Sequence, residues 1–307
     1  MPVPSGPDAA ASRRLGLLAV SVATMVWATG IVIVKWSSLP GLTFAMCRLW
    51  AGSLISIVAL LVTRRRVSWA TFKACGLGGV FFAADIGLGF SAVKLTSIAN
   101  VAVIGTLSPV VIAVVSALRL KERISRRDAM LVGVSFLGVL VVAVGSSGTP
   151  SWSGVGDLLA VLGIGSWTAY WFFSRHARRS AGPIEYFACV MFAAAAVMTP
   201  VALLVQGVPH TLAMRDLAAV GAVALFPGFV GHSLVIWSHA HVESWRSSLI
   251  TQCNPVLTSI LAWVALGEPI TPIVALGGAV VIAATGSVIV RAARRDAVPD
   301  DVADQAT

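Results

Sequence analysis

The chain has 307 residues, of which 57% are apolar, 28 more are Gly and only 11% are charged. Soluble domains are about half apolar with Gly included and about a quarter charged, so a water-facing globular protein and a disordered chain are both excluded. The net charge of +9, in a chain this apolar, points to basic loops beside a membrane rather than to nucleic acid.

Residues 1–14 carry Pro2, Pro4 and Pro7 and read as a disordered cytoplasmic tail. Arg13-Arg14 ahead of an apolar run imitates a signal peptide, but the run is too long and no small-x-small cleavage site follows it. Ten segments then each supply the roughly 20 residues that cross a hydrocarbon core of about 30 Å as a helix. They are 15–34, 41–62, 73–94, 97–118, 128–145, 153–174, 183–205, 215–238, 244–266 and 270–290. The apolar runs are continuous, as in Val132–Val144, where a β-barrel strand would alternate. Residues 291–307 form a polar tail. The expected fold is therefore all-α, a polytopic membrane protein of ten transmembrane helices. The four Cys, at 47, 75, 189 and 253, give no disulfide framework and no paired metal-ligand spacing.

With both termini in the cytoplasm, 18 of the 22 basic residues fall on the inner side, Lys35, Lys94 and Arg215 fall outside, and Arg48 lies within a span. That asymmetry fixes the orientation at the plasma (inner) membrane and requires an even number of spans.

The chain also repeats itself. Pro109 and Glu122 reappear as Pro255 and Glu268 at an offset of 146, where Thr106 meets Gln252 and Ser108 meets Asn254. Trp27 meets Trp167 at an offset of 140, and Cys47 meets Cys189 at 142. The halves, 15–145 and 153–290, hold five spans each. An odd number inverts the second half relative to the first, the arrangement of many secondary transporters.

Several residues inside the spans are candidates for function. Asp85, 12 residues into span 3, costs about 2.5–3.5 kcal/mol on insertion scales and needs a partner or a wet cavity. Arg48 in span 2 stands at a similar depth. The two form either a structural pair, with Arg48 reaching for headgroups, or an anchor for a zwitterionic substrate or a proton. Pro109 and Pro255 each free a carbonyl near the midplane. They act either as plain kinks or as paired flexing points whose neighbours Thr106, Ser108, Gln252 and Asn254 touch substrate. His232 is either a helix–helix hydrogen bond or a proton carrier. Trp27 and Trp167 either line a cavity for an aromatic or cationic ligand or anchor and pack the helices. Glu122 and Glu268 sit where an acid favours a helix N-terminus. Ala275, Ala279, Ala283 and Ser287 make a small-residue stripe suited to internal packing or a homodimer contact. No nucleotide loop, Ser–His–Asp set, HExxH or acidic metal motif is visible. Neither a cofactor, a metal, a catalytic residue nor an enzyme activity is therefore expected.

In this order, the following cues resemble the EamA-type families of the drug/metabolite transporter superfamily: Trp27…Lys35; Leu42-Thr43-Phe44…Arg48; Ser91 to Ser97; Pro109…Leu120-Lys121-Glu122-Arg123; and Asn254-Pro255…Leu266-Gly267-Glu268-Pro269. Two positions depart from the internal echo: Val190 replaces Arg48, and Pro269 replaces Arg123. The resemblance implies a central cavity lined mainly by spans 1, 3, 4, 6, 8 and 9, with spans 5 and 10 peripheral. It also implies transport, most often export, of small polar or amphipathic metabolites such as amino acids. The expectation is a secondary transporter alternating around a midplane cavity, with a proton as the candidate coupling ion. An importer or uncoupled facilitator of the same fold is the first rival. A polytopic membrane enzyme or a non-transporting assembly protein stands further off.

Overall fold

The computed structural model describes residues 7–95, 104–105, 107–119, 125–147, 154–177, 181–208, 213–266 and 270–295. Among the described residues every regular element is helical. The first half holds α1 (Pro7–Trp36), α2 (Gly41–Val62), α3 (Trp69–Leu95), α4 (Ser108–Arg119) and α5 (Arg126–Ser147). The second holds α6 (Gly154–Ala177), α7 (Pro183–Gln206), α8 (Met214–Val223), a π-helical segment (Ala224–Gly231), α9 (His232–Ser238), α10 (Ser244–Thr251), α11 (Asn254–Leu266) and α12 (Pro272–Arg295). Among the described residues, six stretches are long and apolar enough to cross a membrane: Gly41–Val62, Trp69–Gly89, Arg126–Gly145, Pro183–Gln206, Met214–Ser238 and Pro272–Arg291. Their outward faces are apolar: Leu61, Val62 and Leu204 are more than 70% exposed. Such surface is stable only against lipid.

Local chemistry sets the helix starts. Pro7 opens α1, so the helix begins ahead of the expected position 15 and takes in the polar residues up to Arg14. A proline at the first helical position gives up an N–H that had no intrahelical partner. Ser68 accepts from the Thr71 N–H at 3.0 Å ahead of α3. Ser125 accepts from the Asp128 N–H at 3.1 Å and donates back to its carboxylate at 2.7 Å, ahead of α5. Both arrangements satisfy donors that the first turn leaves orphaned.

Two spans depart from continuous helices. The expected span 244–266 is interrupted at Gln252 and Cys253, between α10 and α11. The missing N–H of Pro255 stops the α-ladder there, and tighter i→i−3 bonds close α10. The Cys253 N–H bonds the Ile250 carbonyl at 3.0 Å, and the Leu257 N–H bonds the Cys253 carbonyl at 3.0 Å. The same two bonds recur 146 residues earlier: Leu107 N–H to the Ile104 carbonyl at 3.0 Å, and Val111 N–H to the Leu107 carbonyl at 2.9 Å. The second departure is the π-helical segment, which contains Pro227. Proline in a helix interior clashes with the carbonyl four residues back. The wider turn relieves that clash, and Gly228 is needed because a Cβ there would lie 2.9 Å from the Val223 carbonyl oxygen.

Helix pairing repeats when the halves are exchanged. α2 packs on its counterpart α7 and α5 on its counterpart α12, while α4 packs on α10. α3 packs on α6, and correspondingly the π segment with α9 packs on α1. From Val22 to Gly30 and from Leu162 to Tyr170, exposure also follows the same sequence position by position. Glycines bring the backbones together at the α5–α12 contact. A Cβ on Gly277 would meet the Gly138 carbonyl oxygen at 2.8 Å, and one on Gly138 would meet the Gly277 carbonyl oxygen at 3.0 Å. The stripe Ala275, Ala279, Ala283 and Ser287 instead faces outward, so internal packing of α12 does not use it. Spacing of four defines a face without saying which way that face turns.

At the α3–α7 contact, a Cβ on Gly79 would lie 2.6 Å from the Val190 carbonyl oxygen and 2.7 Å from the Ala193 Cβ. Backbone cannot swing away, so Gly79→Ala should cost about 1–3 kcal/mol by overpacking. Gly89→Ala, with open space around it, is the control. Thermal unfolding of the two variants in detergent, compared with wild type, checks the difference.

Candidate functional site

Aromatic side chains from both halves converge on His232, the first residue of α9. The His232 ring centroid lies 4.8 Å from that of Trp27 (α1), 5.0 Å from Phe82 (α3), 6.4 Å from Trp167 (α6) and 6.1 Å from Phe187 (α7). Nδ1 of His232 lies 3.2 Å from the Tyr170 hydroxyl, so one of the two donates according to the imidazole tautomer. Trp27 and Trp167 meet edge to face at 5.9 Å. These two repeat-related residues are in contact, and both remain half-buried where their neighbours are closed over.

The charged candidates stand beside this cluster. The Arg48 guanidinium sits 5.8 Å from the Phe82 ring centroid, a cation–π distance. Arg48, Asp85 and Tyr170 are close enough for their charges to act on one another. Arg48 and Asp85 are each half-buried and do not close into a direct ion pair. Trp27, Arg48, Asp85, Trp167 and His232 are thus brought together, and Phe82, Tyr170 and Phe187 join them. Aromatic residues at helical spacing read as packing in the sequence. What marks these as different is their convergence from four helices.

The π segment helps to hold Trp27. Its indole N–H donates to the Pro227 carbonyl at 2.9 Å. A Cβ on Gly231 would come within 2.6 Å of that indole. Gly231→Ala should therefore push Trp27 aside and lower the thermal midpoint. The double variant Gly231→Ala/Trp27→Phe, which lacks the indole N–H, should unfold at the temperature of Trp27→Phe alone.

The remaining candidates gather at the interrupted helices. Asn254 donates from Nδ2 to the Thr24 carbonyl at 3.4 Å, one helical turn from Trp27. Pro255 lies at the start of α11, and Ser108 and Pro109 start α4. Gln252 is buried in the turn between α10 and α11. Thr106, Glu122 and Glu268 lie outside the described residues.

Polar contacts close the molecule at both ends. The Asp216 carboxylate at the start of α8 accepts from the Ser37 hydroxyl at 2.8 Å, the Ser38 N–H at 2.7 Å and the Ser38 hydroxyl at 2.8 Å. At the opposite end Arg175 donates to the His239 and Val242 carbonyls at 3.2 and 2.7 Å. The Ser174 hydroxyl lies 3.0 Å from His239 Nδ1.

Residues 14–144 and 154–290 each match the EamA-like transporter family. The chain belongs to that family. It is an integral membrane protein of a transporter family, in keeping with its apolar spans. Two proteins of Bacillus subtilis (strain 168) are similar to it. The uncharacterized transporter YyaM is 26% identical over 250 residues, which cover 76% of this chain and 80% of that protein. The uncharacterized transporter YdfC is 24% identical over 268 residues, covering 84% of this chain and 85% of that protein. A crystal structure 20% identical in sequence superposes with a TM-score of 0.79, covering 91% of this chain and 98% of its own. That likeness shows a shared fold.

Proposed function

We propose that this EamA-like protein is a secondary transporter, built of ten spans in two inverted five-helix repeats, that moves a small amphipathic metabolite such as an amino acid out of the cell. The supporting observation is the contact of Trp27 with Trp167 beside Arg48, Asp85 and His232. Charged groups this deep in a membrane protein are costly unless they serve a pathway or one another. Two separated, opposite charges beside half-buried aromatic rings suit a zwitterion with an apolar body. Asp85 and His232 are the groups able to carry a coupling proton. Inverted repeats supply two equivalent packings, one open to each side, and the interrupted helices at Pro109 and Pro255 supply the flexing points. Both termini lie in the cytoplasm by the distribution of basic residues. The outward-facing stripe on α12 is a candidate homodimer contact.

The test is flux in proteoliposomes loaded with amino acids and aromatic amines, run with and without an imposed pH gradient. Accelerated efflux of at least one compound over protein-free liposomes supports the reading, and a gradient-dependent rate supports proton coupling. Efflux equal to that of protein-free liposomes for the whole set overturns it. Net uptake against the expected direction favours the importer instead.

A further inference from the structure

α10 is a polar helix in an apolar molecule. It reads Ser-Trp-Arg-Ser-Ser-Leu-Ile-Thr, yet Ser247, Ser248, Leu249 and Ile250 are each at most 3% exposed. Gln252 follows at 4% exposed, and neither end of its carboxamide has a hydrogen-bond partner. An unsatisfied buried polar group costs about 1–3 kcal/mol, and here one side chain carries two. The Ser108 hydroxyl, where α4 starts, is likewise without a partner.

These two side chains come from neighbouring helices. α4 packs on α10. One buried cluster holds Val110 and Ala113 of α4 with Trp245 and Leu249 of α10. Gln252 follows that cluster at the end of α10, and Ser108 precedes it at the start of α4. The backbone adds further unmet groups beside these two side chains. Pro255 has no N–H for the Thr251 carbonyl, and the first N–H groups of α4 and α11 lack intrahelical partners. The break therefore presents donors and acceptors together.

Among the described residues of α4, α10 and α11, no charged side chain stands at the break. The closest charged side chain on these helices, Arg246, pairs with Glu243 at 3.0 Å and lies over the Trp245 ring at 5.2 Å. It is six residues, roughly 9 Å of helix, from Gln252. A charged ligand group would lose its hydration at the break with no counter-charge to offset the loss. A neutral group with both a donor and an acceptor would match it.

We infer that the break before Asn254 is a neutral subsite of the substrate pathway, in which the Gln252 carboxamide and the Ser108 hydroxyl read an uncharged carboxamide or hydroxyl of the substrate. The inference rests on the transporter reading and adds a selectivity to it: the substrate carries a neutral polar group besides the part held at Arg48 and Asp85.

The test uses the full-length protein with Cys47, Cys75, Cys189 and Cys253 replaced by Ala, in membrane vesicles open to both sides. Gln252→Cys, Ser108→Cys, Leu249→Cys and Trp167→Cys are introduced singly, and an uncharged methanethiosulfonate reagent, methyl methanethiosulfonate, is the probe. Labelling at 252 and 108 should be about tenfold or more faster than at 249, whose exposure needs the packed helices to open. L-glutamine, L-asparagine or L-threonine at millimolar concentration should slow it, while L-glutamate and L-norleucine should not. In the otherwise native chain, Gln252→Leu should raise the thermal midpoint by removing the unmet groups and abolish any stabilisation by L-glutamine. Should 252 and 108 stay unlabelled while 167 is labelled, the subsite is overturned and the transporter reading stands. Labelling that no neutral compound slows, or that glutamate slows equally, overturns the neutral selectivity alone. Absence of labelling at 167 as well removes both readings. A lower midpoint in Gln252→Leu would mean the carboxamide is already satisfied within the protein, and would also overturn the subsite.

Discussion

Asp85→Asn is expected to be the most damaging single change in the central site, with Arg48→Gln next and the double variant milder than either. Arg48 and Asp85 offset each other's charge in the interior. Removing one partner of a buried pair costs about 3–5 kcal/mol because the other charge is left uncompensated. The insertion cost of a charge near a helix centre is similar, about 2.5–3.5 kcal/mol. The pair here is separated and half-buried, which puts each single change near the lower end, about 2–3 kcal/mol. The two changes are not equivalent. An orphaned carboxyl can take up a proton and become neutral, whereas an orphaned guanidinium cannot shed its own. Asp85→Asn therefore carries the larger penalty. In Asp85→Asn/Arg48→Gln no charge remains, and most of the stability should return. Thermal unfolding of the four proteins in detergent measures the coupling directly as a double-mutant cycle. A double variant no more stable than Asp85→Asn would show that the two charges do not support each other. Flux then separates structure from function: a stable double variant that transports like wild type would make the pair purely structural.

Much of this architecture was legible before any coordinates. The helical spans follow from continuous apolar runs, and the repeat from Pro109 and Pro255 at matching distances from Glu122 and Glu268. The Trp27–Trp167 contact joins two residues that the internal repeat already pairs at an offset of 140. Other features were hidden for physical reasons. Pro227 and Pro255 look alike in sequence, each a proline in an apolar segment. One is absorbed in a π-helical turn because Gly228 lets the Val223 carbonyl come close. The other ends a helix because α10 before it is polar and finishes in tight turns. Phe82, Tyr170 and Phe187 carry no signal in one dimension, since an aromatic residue has the same spacing in packing as in a site. Gly138 and Gly277 carry no signal in the sequence beside the regular stripe on α12, because close approach depends on which face meets which.

Cross-linking the Asp216 contact should stop transport almost completely. The Asp216 carboxylate takes three hydrogen bonds, from Ser37 and twice from Ser38. They tie the turn between α1 and α2 to the start of α8, whose continuation carries Pro227 and His232. Hydrogen bonds to a charged group contribute about 1.5–3 kcal/mol each, less than additively when they share one acceptor. If alternation requires this end to part, these bonds set part of the equilibrium between the two packings. Asp216→Ala should then favour the packing that is open at this end. A disulfide in Ser38→Cys/Asp216→Cys, placed in the protein with its native Cys replaced, should do the reverse and hold the end shut. Flux should fall at least about tenfold on oxidation and return on reduction, because only the packing closed on this side remains populated. Mass spectrometry of the linked peptide confirms the bond, and the reduced protein serves as its own control. Equal flux in the linked and reduced forms would mean that the Asp216 end never opens. The path would then have to leave the molecule elsewhere, and the two-sided alternation inferred from the repeat would fail with it.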